Sequence, residues 1–146
     1  MESFCVIFAP MEELELTNDQ IKVVALRYLA LLTKAAELLP SADPGLLSGT
    51  DGTIYLKQKG HRPLSGEDSE RIIQSLGTDD DKVTIARFKQ AQAALSKRLT
   101  KNKWIGLIVE QSGLPYLKMR RRIAKSEIWK AEEMIQIIDV LQRLQV

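Results

Sequence analysis

Nine residues from Leu117 to Lys125 carry five cations, Lys118, Arg120, Arg121, Arg122 and Lys125, and a second group, Lys97, Arg98, Lys101 and Lys103, lies shortly upstream. Guanidinium groups present planar donor forks that match phosphate oxygens or the O6/N7 edge of guanine, and ammonium groups act as compact charges toward phosphates. The chemistry of such residues is the binding of a polyanion. At about 100° per residue on a helix, Leu117, Lys118, Arg121 and Lys125 share one face, and Tyr116, Met119 and Ile123 share the opposite, apolar one. The apolar side is expected to point into a core and the cationic side into a nucleic-acid groove, since burying unpaired charge is costly. Arg121 is then expected to read a guanine edge and Leu117 to meet a thymine methyl. Arg120 and Arg122 are expected to project from the flanks toward phosphates, and the Lys97, Arg98, Lys101 and Lys103 group is expected to position the chain on the sugar-phosphate backbone.

Charge is divided unevenly along the chain. Through Ser96 there are 10 Lys/Arg against 14 Asp/Glu, a balance of −4; beyond it there are 11 against 5, a balance of +6, within a net charge of +2. A basic C-terminal part facing a polyanion fits this asymmetry. At 146 residues and 45% apolar composition the chain can bury a real core.

The elements that must hold these residues follow from caps and periodicity. Thr17, Asn18 and Asp19 offer caps for a long helix in which Ile21, Val24, Tyr28, Leu31, Leu32, Ala35 and Leu39 recur until Pro40 stops it. Residues 41–65 are punctuated by Gly and Pro and read as a loop, with TIYLKQK (Thr53 to Lys59) as a strand-like segment of a short hairpin. Ser65 to Leu76 reads as a short helix closed by Gly77. Thr78 and Asp81 open a longer one with Ile85, Phe88, Ala91, Leu95 and Leu99 on one face. Three more helices follow, Lys103 to Gln111, Pro115 to Lys125 and Lys130 to Leu144, with Gly113 at the tight turn between the first two.

Two short helices joined through a glycine, a loop with an aromatic (AKSEIW), and a closing helix that opens on Glu132 and Glu133 resemble the Cro/repressor type of helix-turn-helix family over residues 82–144. Val109 stands where that family usually has Ala or Gly, and Pro115 where it has Ser or Thr. The resemblance implies a four-helix DNA-binding domain (81–146); with the helices read from caps and periodicity before it, the chain is expected to be mainly α, its N-terminal helical region (1–80) serving oligomerisation or partner binding. It also implies a double-stranded DNA partner, and a homodimer on two half-sites about one DNA turn apart. The wide apolar sector of the last helix, Met134 to Leu144, is to be covered either by the N-terminal helix or by a second copy. The expected role is a prokaryotic or phage-type transcriptional regulator. The alternative is a protein-interaction module of a phage or mobile element in which the motif is an accessory anchor.

Other chemistries find little footing. His61 has no second His or Cys near it, so neither a metal nor a cofactor is expected, and Asp79, Asp80 and Asp81 suit a helix start better than a cation. No Walker loop or nucleophile elbow is present, which argues against an enzyme. Trp104 and Trp129 sit beside aliphatics and are expected in the core. The apolar opening run is too short to span a membrane, and the lone Cys5 reads as a buried thiol, so a cytoplasmic protein without a membrane partner is expected.

Overall fold

The computed structural model describes residues 16–145, and the reading of Cys5 lies outside them. Seven α-helices occupy these residues: α1 (Asn18–Leu38), α2 (Asp51–Gln58), α3 (Gly66–Leu76), α4 (Asp79–Thr100), α5 (Ile105–Ser112), α6 (Tyr116–Ala124) and α7 (Ala131–Leu144). No strand occurs among them, so the protein is mainly α.

Three of the helix starts are fixed by reciprocal caps legible in the sequence. Thr17 with Gln20, Ser65 with Asp68 and Thr78 with Asp81 each exchange side-chain and backbone bonds across the first turn, satisfying donors that have no partner within the helix. Asp81 is also bonded by Lys34 Nζ at 2.5 Å; that bond and the Thr78 amide hold its carboxyl below the usual carboxylate range. The Asp79–Asp81 cluster thus serves a helix start and an ion pair.

One departure concerns residues 51–58. The expected hairpin strand is instead α2, capped by Thr50, whose hydroxyl accepts from the Thr53 amide at 3.3 Å. The β-branched and aromatic residues Thr53, Ile54 and Tyr55 favour strand locally, but tertiary packing overrides so weak a preference. Helical spacing puts Ile54 against the core and Lys57, three residues on, beside the fully buried Asp68. A strand would send those two side chains to opposite faces.

A single cluster of buried residues runs from Ile21 on α1 to Leu141 on α7. Helix α1 is its spine, contacting α3, α4 and α7. Tyr28 of α1 stacks on Phe88 of α4, ring centroids 3.7 Å apart, and its hydroxyl donates to Glu70 Oε2 at 2.6 Å. Burial, followed by that carboxylate, pushes the Tyr28 hydroxyl pKa up. The apolar sector of α7 is covered within the chain: Met134, Ile137, Ile138, Val140 and Leu141 are buried, chiefly by α1 and α5. Each such side chain stabilises the fold by about 1.5–3 kcal/mol through apolar burial.

Candidate nucleic-acid interface

Helices α5 and α6 are joined by Gly113, Leu114 and Pro115. Gly113 takes φ +78°, a left-handed conformation that disfavours any residue with a Cβ. A Cβ added there would meet only Gln136 Nε2 at 3.8 Å, an ordinary contact, so the backbone alone disfavours substitution. Gly113→Ala is therefore expected to lower stability by about 1–2 kcal/mol without repacking, measured by chemical denaturation against Gly106→Ala, whose added Cβ meets nothing within 4 Å. Equal midpoints for the two variants would refute the turn's requirement for glycine. Ser112 secures the turn further: its hydroxyl donates to Val109 O at 2.8 Å and accepts from Leu114 N at 3.2 Å. Pro115 sets α6 off without a side-chain cap.

Helix α6 lies on α4, and α5 lies on α7. Met119 anchors α6 in the core and Ile123 is half-buried. Leu117, Lys118, Arg120, Arg121 and Lys125 are exposed, as are Lys97, Lys101 and Lys103 near the junction of α4 and α5. Helical periodicity places Leu117, Lys118, Arg121 and Lys125 on this outward side.

Four residues stand elsewhere than expected. Arg122 does not reach outward: only 8% exposed, it donates from Nε to Glu133 Oε1 at 2.6 Å. The signal was available, because Arg122 follows the anchoring Met119 by three residues and so shares its side of the helix. Burial opposes ionisation of Glu133, but the Arg122 guanidinium and the Lys130 amide outweigh it and hold the carboxyl below its ordinary range. Lys118 Nζ approaches the same carboxylate at 3.7 Å, so that exposed cation is partly engaged by the protein.

Arg98 is likewise structural, its guanidinium bonding Leu16 O and Asn18 Oδ1 to fasten the start of α1 onto α4. Tyr116 is exposed rather than core-facing. As the first residue of α6 it directs its side chain back past the end of the helix, beyond the neighbours that cover Met119. Trp104 is 48% exposed, with Lys103 Nζ 5.9 Å from its ring centroid.

Trp129 is buried as expected, and it organises the connection between α6 and α7. Its Nε1 donates to Ser96 Oγ at 2.9 Å, Ser96 Oγ donates to Arg122 O at 2.9 Å, and Gln92 Nε2 donates to Trp129 O at 2.8 Å. Sequence reasoning missed Gln92 and Ser96, which lie on the inward face of α4 near Ala91 and Leu95 and need polar partners there.

The result is a short helix gripped from behind and cationic in front, an arrangement suited to binding an extended anion. Among the described residues no group of three His, Cys, Asp or Glu side chains is placed to hold a metal ion, and no helix is long and apolar enough to cross a membrane. Set against family models, curated proteins and solved structures, the chain matches none of them.

Proposed function

We propose that this protein binds duplex DNA in a sequence-specific way through α5 and α6, as a transcriptional regulator of prokaryotic or phage type. The observation that carries the reading is the two-sidedness of α6. Met119 and Arg122 are buried behind it, while Leu117, Arg120, Arg121 and Lys125 are exposed in front, after a left-handed glycine turn. Such a helix, presented at about the width of a major groove, can bring side chains to base edges while flanking cations meet phosphates. Lys101 and Lys103 extend the cationic surface to the start of α5. A dimer on two half-sites rests on the Cro/repressor resemblance alone, since α1 already covers the apolar sector of α7.

Exposed Trp104, just before α5, and Leu107 on it favour a second reading, a protein-interaction module in which the helix pair is an accessory anchor. Salt separates the two. Duplex binding should weaken with a log-log slope of roughly −0.9 per neutralised phosphate, and an interaction-only protein should show no duplex affinity to weaken. In gel-shift titrations Arg121→Ala should lose sequence preference by about 1–3 kcal/mol, whereas Lys103→Ala should weaken all duplexes alike. Identical binding by both variants and the parent would sink the assignment.

A further inference from the structure

We infer that the leading tip of α6 reads thymine, with Tyr116 and Leu117 taking the 5-methyl groups of neighbouring thymines in the major groove beside a guanine held by Arg121. This rests on the duplex-binding reading above, and to the contacts expected of Leu117 and Arg121 it adds a second thymine at Tyr116 and the spacing between the bases. Tyr116 is 56% exposed and Leu117 is 71% exposed, the largest exposure among the big apolar side chains of the described residues. A single exposed Leu needs no explanation, but here two adjacent apolar side chains head a helix whose other long exposed side chains, Lys118, Arg120 and Arg121, are all cationic.

The cations select a polyanion as the occupant of this face; the apolar tip then selects among its bases. A phosphate or a hydrogen-bonding base edge gains nothing from a Leu side chain, and the thymine methyl is the apolar group that the major groove offers. The tip is held firmly enough to discriminate. Pro115 fixes the backbone at φ −60°, and Met119 and the Arg122–Glu133 pair secure the helix behind it.

Register gives the spacing. Residues 116 and 117 point about 100° apart, so they meet different bases, and Arg121 lies one turn beyond Leu117 on the same side. Four residues advance a helix by about 6 Å, against roughly 3.4 Å per base step, which places the guanine on the order of two steps from the Leu117 thymine.

The test begins with a duplex selected from a random pool by the parent protein at low salt, and then remade with deoxyuridine in place of thymidine. That exchange removes the 5-methyl groups and leaves the pairing edges intact. The parent should bind the uracil duplex about ten-fold more weakly, a few-fold for each methyl lost. Leu117→Ala, whose exposed site leaves folding undisturbed, should show a smaller difference between the two duplexes, and adding Tyr116→Ala should abolish it. Equal binding of both duplexes by the parent overturns the thymine inference and leaves duplex binding standing. Failure to retard any duplex at low salt overturns both.

Discussion

Asp68→Ala should lower the unfolding free energy by about 3–5 kcal/mol, the range for removing one partner of a buried ion pair. Asp68 is fully buried where α2, α3 and the loop before α2 meet. Its carboxylate accepts from Lys57 Nζ at 2.5 Å, Ser65 N at 3.0 Å, Ser48 N at 2.9 Å, Ser48 Oγ at 3.0 Å and Arg71 at 3.1 Å. Truncation strands the Lys57 ammonium, itself almost wholly buried, and removes the half of the α3 capping box in which Asp68 accepts from Ser65 N, while the Ser65 hydroxyl can still accept from the amide of residue 68. Urea denaturation at neutral pH measures the loss; a variant as stable as the parent would show that the network contributes nothing.

The same carboxyl predicts an acid response. Burial alone would raise its pKa, but Lys57 and the Ser65 and Ser48 donors overcome burial and hold it well below the carboxylate range. Such a group binds fewer protons folded than unfolded, so stability rises with pH across the interval between the two pKa values. Its contribution, with those of Asp81 and Glu133, is complete above the unfolded value of about 4 and is lost as pH falls through the depressed folded values. Denaturation midpoints should hold from neutral pH down to about 5 and then decline. Asp68→Asn should start lower and decline less steeply.

Glu133→Ala is expected to have the next largest effect, about 3 kcal/mol, near the low end for a buried pair because Lys118 and part of Arg122 still reach water. It leaves the Arg122 guanidinium without its partner and the Lys130 amide without an acceptor. Glu133→Gln retains an acceptor and should lose less. Binding data then distinguish positioning from phosphate contact. Arg122→Met should reduce thermal stability yet leave the salt slope of duplex binding unchanged. Arg120→Ala should flatten that slope by about 0.9 and leave stability nearly untouched. A flattened slope in Arg122→Met would overturn the structural role given to Arg122.

Local sequence signals determined most of the helices of this protein and the exposed part of its basic surface. The Thr17, Ser65 and Thr78 caps, the glycine at 113 and the 3.6-residue recurrence of Ile85, Phe88, Ala91, Leu95 and Leu99 act within a few residues of one another, so they can be read without a fold. The same holds for Leu117, Arg121 and Lys125, whose exposure follows from standing opposite Met119. Tertiary structure alone decided where a neighbour far along the chain changes the balance. Residues 51–58 became a helix because Lys57 has Asp68 to meet, Arg122 turned inward because Glu133 offsets its desolvation, and Arg98 was drawn to the start of α1. Tyr116 and Trp104 stayed in solvent because no element reaches over them, and α7 buried its broad apolar sector against α1, a helix about a hundred residues earlier in the sequence. A charge is buried, or an aromatic left exposed, according to what the fold sets beside it, and periodicity carries no record of that partner.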